Sequence, residues 1–361
     1  MFCADKRKLA RPCAEKGVDF MNAHAKKNGV ARRILSKPET PIILITLGFI
    51  AFFQIFNREF LSAVNVFSIL KTMSFYGLIA IGETMLLCGG DIDISMGAVC
   101  GMGAIVSTKI MKDTSVFGML NTSWEWFGVL LICLITVLIC GCVGVVSATF
   151  VVKLRLPPFV ATIATQYAAR GVVNILTNGI AVYPLPTWFA ENLGQAQILV
   201  TKTSGFSLVF LLFIALAIVF EFILRRTRFG RGVMAIGANI EVARIMGIPT
   251  EKYRYINFIL NAMLAAVSGI LMAAFIKQGY TGIGLDMEMT IIAGVLIGGV
   301  SLSGGSGSMI GITCGVLLMY IINTGLTMIG FNTFLQIVVQ GVLIMIAVYI
   351  DRLRLSKKIR A

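Results

Sequence analysis

Charge is scarce in this chain, and that scarcity argues against a soluble fold. Only 13% of the 361 residues are charged, whereas 57% are hydrophobic. A soluble domain carries about 25% charged residues, so we predict an integral membrane protein. The net charge of +14 does not indicate a nucleic-acid partner, because 24 of the 31 Lys and Arg residues lie in four separate segments, 1–40, 153–158, 225–254 and 352–361. Such clusters are typical of the cytoplasmic segments of membrane proteins.

Residues that build catalytic and metal sites are also few. The single histidine, His24, lies in the polar N-terminal segment, which argues against histidine catalysis or a histidine-ligated metal inside the membrane. The eight cysteines form no Cys-x-x-Cys pair, and six lie in apolar runs, where cysteine behaves as a small hydrophobic residue. The chain also lacks the G-x-x-x-x-G-K-[ST] loop that cradles nucleotide phosphates. We therefore expect no metal, no cofactor and no nucleotide bound through such a loop.

What the chain has in abundance is apolar sequence. Ten apolar runs lie at about 42–56, 74–89, 93–110, 127–152, 159–177, 206–224, 255–277, 287–300, 308–328 and 334–350. They predict an all-α integral membrane protein, a polytopic bundle of about ten transmembrane helices with short re-entrant or interfacial helices. Because an even number of spans puts both termini on one side, all four basic segments then fall on that side, which is cytoplasmic by the positive-inside rule. The predicted organisation is a basic cytoplasmic tail at 1–40, a transmembrane domain at 41–351 and a cytoplasmic tail at 352–361.

Two stretches are not typical of ordinary spans. Residues 59–71 place Phe60, Val64 and Phe67 on one face, which indicates an interfacial helix outside the membrane. The run at 287–300 is short for a hydrocarbon layer of ~30 Å, which needs about 20 helical residues. We expect a broken or re-entrant helix there.

Two loops on the opposite side carry aromatic residues, with Trp124 and Trp126 in 111–126 and Trp188 in 178–205. Such residues are typical of anchors at the lipid interface. An outer gate or a docking surface for an external partner is the alternative.

The segment 225–254 is the longest polar stretch inside the apolar body, and it carries seven Lys and Arg. A short helix is predicted within it, with Asn239 as the N-cap and Gly247 after the last turn. The simplest interpretation is that its arginines only set the orientation of the chain in the membrane. That interpretation does not explain why the helix has an apolar face between two caps.

The apolar face consists of Val242, Ile245 and Met246, which recur at i, i+3 and i+4, with Ala243 off the face. A helix this short is not stable alone in water, so it needs a surface to lie against. We therefore predict a docking helix that fits a groove in a separate cytoplasmic subunit. The residues assigned to this contact are Asn239, Glu241, Val242, Arg244, Ile245, Met246 and Gly247.

The stretch GGDIDISMG at 89–97 joins two apolar runs and brings two carboxylates near the membrane. An ionised Asp at the centre of a membrane helix costs about 2.5–3.5 kcal/mol on insertion scales, so it must be wetted or paired. Asp93 can cap the following helix through free backbone amides. The alternative places Asp91, Asp93 and Ser95 along a solute path.

A second polar set, Gln166, Arg170 and Asn174, recurs at i, i+4 and i+8 within one span and therefore shares a face. Polar faces inside bundles often hold helices together. A hydrophilic solute would need such a face as well, and both interpretations stay open.

Small residues are dense in the spans and allow close approach of helices in lipid. The glycines assigned to helix packing are Gly89, Gly90, Gly97, Gly101, Gly298, Gly299, Gly307, Gly311 and Gly315. The sequences at 89–97 and 298–304 are also similar, which suggests a degenerate internal repeat, a common feature of transporters.

Four stretches together resemble one known family. They are GETMLLCGGDIDISMGA (82–98), LPPFVATIA (156–164), RRTRFGRGVMAIGANIEVARIMGI (225–248) and the run at 291–311, which contains GGVSLSGGSGSMIG. The chain is similar to the permease subunits of bacterial ATP-binding cassette importers for simple sugars, of the ribose/xylose/galactoside type. Family members usually have Gly-Gly-Ile-Asp-Leu-Ser-Val-Gly at the first stretch, which is one residue longer here. Counted from the paired glycines, Asp91 stands where Ile is typical, whereas Asp93, Ser95 and Gly97 match when the pattern is counted from its last Gly.

The resemblance implies a transport subunit of the bacterial plasma membrane, paired with a second permease copy or a sister permease. It further implies an ATPase subunit on the cytoplasmic side, where ATP is hydrolysed, and a soluble sugar-binding protein outside. The helix at 238–248 would couple the ATPase to the path, which opens to alternate sides.

The sequence is also compatible with other functions. An ion-coupled secondary transporter usually has ionisable groups in mid-membrane, and only Arg170, Asp91 and Asp93 qualify. An intramembrane enzyme needs a nucleophile–base pair or a metal cluster, and none is evident in the sequence. Nucleosides or other small polar solutes are alternative cargo, because the external binding protein can set selectivity.

Overall fold

The computed structural model describes residues 40–113, 125–198 and 205–360. Its helices are α1 (Thr40–Phe56), α2 (Ala63–Cys88), α3 (Met96–Lys112), α4 (Glu125–Ala148), α5 (Pro158–Thr177), α6 (Leu208–Arg226), α7 (Arg228–Ala238), α8 (Ile240–Ile245), α9 (Thr250–Ile276), α10 (Met287–Ile297), α11 (Met309–Met328) and α12 (Thr333–Arg360). Short 3-10 or π turns occur at Arg58–Leu61, Thr149–Lys153 and Phe189–Gly194, and β1 (Gln197–Ile198) pairs antiparallel with β2 (Phe206–Ser207). The predicted tail at 1–40, apart from Thr40, and the predicted anchor Trp124 lie outside the described residues.

Each predicted apolar run corresponds to one of α1–α6 or α9–α12. Among the described residues, five helices are long and apolar enough to cross a membrane: Ala63–Cys88, Glu125–Lys153, Leu208–Arg226, Thr250–Ile276 and Met309–Met328. Shorter apolar helices lie at Thr40–Phe56, Met287–Ile297 and Thr333–Ile346. A helical membrane protein is therefore confirmed, whereas the number of crossings stays a prediction.

The separate interfacial helix predicted at 59–71 is wrong. The turn Arg58–Leu61 ends at Ser62, and α2 then continues through Lys71 to Cys88. The side chain of Ser62 caps α2 by accepting the N–H of Asn65 at 3.4 Å. Since no Gly or Pro occurs between Ala63 and Tyr76, nothing in the local sequence ends the helix at Lys71.

The helix α9 is the centre of the bundle and packs against α2, α3 and α4. It presents small buried residues to them, including Ala262, Ala265 and Ala266. The α3 backbone comes so close that a Cβ on Gly103 would lie 2.7 Å from the carbonyl oxygen of Ala266. Lipid gives helices little hydrophobic reason to associate, so close van der Waals packing of this kind holds them together.

The helix α3 begins in the middle of the bundle rather than at its end. The α2 helix ends at Cys88, at the end of the bundle where α7 lies, and the chain then turns at Gly89 and Gly90 and leads back through the irregular segment 91–95. Asp93, within that segment, accepts a hydrogen bond from Asn261, near the middle of α9, at 3.2 Å. The first turn of α3 therefore lies at mid-depth.

The short helix α10 also begins at mid-depth, as the predicted broken helix requires. The preceding segment 277–286 starts at the opposite end of the bundle, where Gly279 and Val182 exchange backbone hydrogen bonds of 2.7 and 3.0 Å. It then descends until Gly284 contacts the carbonyl group of Gly97, in the first turn of α3. The N-termini of α3 and α10 consequently meet inside the bundle, with Gly97 beside Glu288.

Two paired-glycine loops lie at the end of the bundle that carries α7. Gly89 and Gly90 end α2, and Gly298 and Gly299 end α10. The second glycine of each pair has a positive φ, +82° and +92°, a conformation that costs glycine little. The shared geometry supports the predicted repeat of helix, paired-glycine loop and helix.

Candidate functional site

The predicted docking helix is present as α8. The Oδ1 atom of Asn239 accepts the backbone N–H groups of Glu241 and Val242, both at 3.0 Å, which is an N-cap. The helix ends at Ile245, and Gly247 turns the chain away with a φ of +78°. Local sequence was therefore sufficient to predict both ends.

The apolar face of α8 is uncovered in the described chain. The exposed fractions are 50% for Val242, 84% for Ile245 and 73% for Met246. Ala243 faces the bundle and is only 1% exposed. It does lie off the apolar face, as expected, but its burial makes a charge at this position unsuitable as a harmless control.

The helix α7 connects α8 to both paired-glycine loops. A Cβ on Gly237, near the end of α7, would overlap the carbonyl oxygen of Cys88 and lie 2.6 Å from the nitrogen of Gly305. The N–H of Gly305 donates to that same Cys88 carbonyl at 3.0 Å, and a Cβ on Gly304 would lie 2.8 Å from the backbone of Gly237. Since no side chain fits among these three backbones, a displacement of α7 must move both loops.

Asp91 lies at this junction and not beside Arg170. The guanidinium group of Arg254, in the second turn of α9, donates to both carboxylate oxygens of Asp91 at 2.7 and 2.6 Å. The Asp91 side chain is 4% exposed and that of Arg254 18%. This bidentate ion pair links the 89–95 segment to the start of α9.

Arg170 binds the two segments that meet inside the bundle. Its Nη1 donates to the carbonyl groups of Thr281 and Ile283 at 3.2 and 2.8 Å, and its Nη2 donates to that of Gly97 at 3.2 Å. One guanidinium group from α5 therefore holds the 277–286 segment and the start of α3 together. Its Nε has no hydrogen-bond partner among the described residues.

Glu288 completes this group, which we call the Arg170 cluster (Gln166, Arg170, Gly97 and Glu288). The amide of Gln166 donates to Glu288 Oε1 at 2.8 Å. The carboxylate is 6% exposed, and its Oε2 has no hydrogen-bond partner within the described chain. Unsatisfied buried polar atoms are costly and rare in proteins, so Arg170 Nε and Glu288 Oε2 single out this cluster as a candidate site.

A second group lies nearby at the start of α3. Asp93 Oδ1 accepts the N–H and the hydroxyl of Ser95 at 2.8 and 2.6 Å, so it orders the turn before α3. The predicted helix cap by Asp93 is wrong, because Ser95 is the residue that precedes α3 and, in the described chain, no side chain caps that helix. The Asn261 amide bridges Asp93 and Glu83, at 3.2 and 3.1 Å. The three residues Glu83, Asp93 and Asn261 are at most 1% exposed, and neither carboxylate forms an ion pair with a described residue.

The third member of the predicted polar face, Asn174, does not join these clusters. It is exposed on α5, as is Tyr167 with an exposed fraction of 76%. Asp286 and Met289 are also exposed, on either side of Glu288. Asn174 and Asp286 are thus polar residues exposed on the surface of the bundle, where contact with lipid would be unfavourable.

The predicted packing glycines lie at close backbone contacts. Added Cβ atoms would overlap neighbouring carbonyl oxygens at Gly97, Gly101, Gly298, Gly311 and Gly315, or lie 2.5 Å from the Cys88 sulfur at Gly307 and 3.2 Å from the Asn257 amide at Gly89. Gly90 and Gly299 have positive φ. The helices approach through these positions.

Three residues of the clusters were not singled out from the sequence: Glu83, Glu288 and Arg254. The first two are acidic residues in apolar runs, which is a recognisable signal of a functional or structural site. Arg254 offered no such signal, since it belongs to a basic segment whose charge is explained by topology alone.

Comparison with known proteins gives a consistent picture. Residues 65–348 match the family described as branched-chain amino acid transport system / permease component. The chain is 30% identical to the galactose/methyl galactoside import permease protein MglC of Escherichia coli, over 88% of this chain and 94% of that protein. It is 30% identical to the ribose import permease protein RbsC of Bacillus subtilis, over 83% and 88%. It is 28% identical to the xylose transport system permease protein XylH of Haemophilus influenzae, over 86% and 95%. No solved structure matches the chain.

Proposed function

The chain belongs to this family of permease components, transport subunits rather than enzymes, and from that premise we propose that it forms the membrane path of an ATP-driven importer for a monosaccharide. The relatives named for galactose, ribose and xylose favour a pentose or hexose as cargo. The partners in this proposal are a separate ATP-binding cassette ATPase, an extracytoplasmic sugar-binding protein and a second permease copy. A nucleoside or another small polar solute is the alternative cargo.

The uncovered apolar face of α8 is the observation that carries the proposal. Val242, Ile245 and Met246 project from a capped helix outside the apolar body. An amphipathic helix with exposed anchors at this spacing fits a hydrophobic groove of another protein. The ATPase subunit supplies that groove, and Glu241 and Arg244, joined by an ion pair of 3.5 Å, lie at its rim.

Coupling runs from α8 through α7 to the middle of the membrane. When ATP draws the two ATPase subunits together, α8 moves and carries Gly237 with it. The backbone contacts of Gly237 with Cys88 and Gly304 transmit the movement to both paired-glycine loops, which lead into α3 and α11. Packed backbones without flexible side chains have few ways to absorb such a displacement.

The solute path is proposed to follow α5 and the start of α10. Asn174, Tyr167 and Asp286 line it, and the second permease copy closes its other side. The Arg170 cluster lies just behind this face. Its unsatisfied atoms, Arg170 Nε and Glu288 Oε2, offer a donor and an acceptor to the hydroxyl groups of a sugar once the segments separate.

Orientation follows from the basic segments. In the proposed arrangement α1–α6 and α9–α12 make ten crossings, α7 and α8 are cytoplasmic, and both termini are cytoplasmic. The protein then lies in the bacterial inner membrane with 178–205 outside, where a binding protein delivers the cargo.

The source of energy tests the proposal. Uptake of radiolabelled galactose, ribose or xylose should continue in cells whose proton gradient is collapsed while ATP is maintained. It should stop when the partner ATPase is inactivated by substitution of its phosphate-binding lysine. Uptake that follows the proton gradient and ignores the ATPase would instead identify an ion-coupled secondary transporter.

A further inference from the structure

Two acidic residues and one asparagine meet in the middle of the bundle. Glu83 comes from α2, Asp93 from the segment before α3 and Asn261 from α9. All three are at most 1% exposed, and neither acid has an ion-pair partner among the described residues. We call these three residues the Glu83 cluster. Neighbouring buried groups of like charge disfavour each other's ionised form, so two ionised acids here require a compensating positive charge.

The two carboxyl groups of the cluster are separated by a single amide nitrogen. Asn261 Nδ2 lies 3.1 Å from Glu83 Oε2 and 3.2 Å from Asp93 Oδ2. The backbone N–H of Asp93 also donates to Glu83 Oε1 at 3.2 Å. A further acidic side chain near Glu83 is Asp91, and its charge is already paired with that of Arg254. The compensating charge therefore does not come from that arginine.

A proton suits this position better than a metal ion does. The amide nitrogen of Asn261 lies between the two carboxyl groups, so a metal ion there would meet an N–H donor where it requires an oxygen ligand. Within the described residues, no group of three His, Cys, Asp or Glu side chains is placed to hold a metal ion. A proton needs no additional space, and it removes one of the two like charges, as in other pairs of carboxyl groups that share one proton.

The hydrogen bonds indicate which of the two acids carries the proton. Asp93 accepts three, from the N–H and the hydroxyl of Ser95 and from the amide of Asn261. Glu83 accepts two, from the N–H of Asp93 and from Asn261. Donors stabilise the ionised form of a carboxyl group, and Asp93 also lies just before the N-terminus of α3, which favours negative charge. The proton is therefore assigned to Glu83.

An unpartnered atom in the cluster independently indicates the same proton. Asn261 Oδ1 is buried and accepts no hydrogen bond from any described residue. A buried acceptor without a donor is rare in proteins. An ionised Glu83 offers this atom only further acceptors, whereas a neutral Glu83 provides an O–H donor on a carboxyl group that already contacts the same amide.

We propose that the Glu83 cluster binds one proton, which leaves Glu83 neutral and Asp93 ionised. The proton allows α2, the segment before α3 and α9 to meet at mid-depth with one buried negative charge instead of two. The site does not depend on what the chain transports or on which partner docks at α8.

Infrared spectroscopy of the full-length chain in lipid nanodiscs at neutral pH tests the site, with the carbonyl stretching band of a protonated carboxyl group as the readout. The wild type minus Glu83→Gln difference spectrum should contain this band. Glu221→Gln is the matched control, because Glu221 also lies in an apolar helix but pairs with Arg225, so its difference spectrum should contain no such band. If the spectrum of Glu83→Gln keeps every band of this kind that the wild type shows, the proposal is wrong.

Thermal unfolding of the same proteins in detergent provides a second readout. Glu83→Gln keeps a neutral side chain with one acceptor and one donor group, so its midpoint should stay close to that of the wild type. Asp93→Asn replaces the ionised acceptor of three hydrogen bonds and should unfold at a clearly lower temperature. A larger loss in Glu83→Gln than in Asp93→Asn would contradict a neutral Glu83. If sodium chloride but not choline chloride stabilises the wild type, and no protonated-carboxyl band is lost in Glu83→Gln, the cluster binds a metal cation and not a proton.

Discussion

Arg254 donates hydrogen bonds to both carboxylate oxygens of Asp91, across 163 residues of sequence. The pair joins the loop after α2 to the start of α9. Asp91 lies three residues after Cys88, whose carbonyl group is in close contact with Gly237. The pair makes the junction between the docking segment and the membrane path electrostatic as well as steric.

Removal of Arg254 should destabilise the protein more than removal of the Asp91 charge. Arg254→Met leaves the nearly buried Asp91 carboxylate unpaired, and breaking a buried pair typically costs about 3–5 kcal/mol. Asp91→Asn leaves Arg254, which is more exposed and can reach water, so its effect should be smaller. The double variant should recover most of the stability lost in Arg254→Met. The midpoint of thermal unfolding in detergent measures all three, and equal losses in both single variants would contradict the proposed asymmetry.

Two asparagines on α9 provide a matched comparison of buried hydrogen bonds. Asn261→Leu removes the amide donor shared by Asp93 and Glu83, which is two buried hydrogen bonds, each worth at least about 0.5–1.5 kcal/mol. Asn257→Leu removes one bond to the neutral carbonyl group of Met85, 3.1 Å long, worth about 0.5–1.5 kcal/mol. The Asn261 variant should unfold at a clearly lower temperature than the Asn257 variant. If the order is reversed, the bridging role of Asn261 is wrong.

Features formed by residues close together in the sequence could be predicted, whereas contacts between distant residues could not. The cap at Asn239 and the face made by Val242 and Ile245 are local patterns, so they were predictable. The bonds from Arg170 to Gly97 and Ile283 join residues 73 and 113 positions apart, and no periodicity encodes such contacts. The error at 59–71 had a different cause, since amphipathic spacing over a few turns resembles a surface helix even when the same residues belong to a longer span.

Sugar uptake should depend on the planar guanidinium group of Arg170 and not only on its positive charge. Arg170→Lys keeps one positive charge but cannot reach three carbonyl groups on two segments at once. We expect sugar uptake to fall by at least about tenfold, equivalent to about 1.4 kcal/mol, while the ATPase still co-purifies. Arg228→Lys is the control, since that side chain is exposed on α7 and makes no described ion pair. Normal uptake by Arg170→Lys would mean that the Arg170 cluster serves only general packing.

Topology can be measured by cysteine labelling in a background without the eight native cysteines. Positions Arg228 and Phe20 should be labelled only from the cytoplasmic side, and Asp113 and Asn192 only from outside, because the proposed crossings separate them. The buried Gly230 is unsuitable, since a side chain there would collide with the end of α6. Labelling of position 228 by an impermeant external reagent would reverse the orientation, and labelling of 113 and 228 from the same side would change the number of crossings.

Ile245 offers the sharpest test of coupling, because it is the most exposed residue of the apolar face and is barely covered by the described part of the chain. Ile245→Asp should leave insertion and folding intact. In the complex it buries an unpaired carboxylate at the ATPase groove, which costs several kcal/mol, so affinity should fall by at least about a hundredfold at about 1.4 kcal/mol per factor of ten. Co-purification of the ATPase and sugar uptake should therefore be lost together.

Two variants separate this effect from simple surface disturbance. Ile245→Leu keeps the apolar volume and should retain both properties. Lys252→Asp places the same carboxylate on the exposed first turn of α9, outside the apolar face of α8. Ala243→Asp does not serve, because a charge at that buried position would detach α8 from its own bundle and lose the ATPase for the wrong reason. If Ile245→Asp retains the ATPase and transports normally, the apolar face of α8 has no partner, and the arginines around it act only in fixing the topology of the membrane domain.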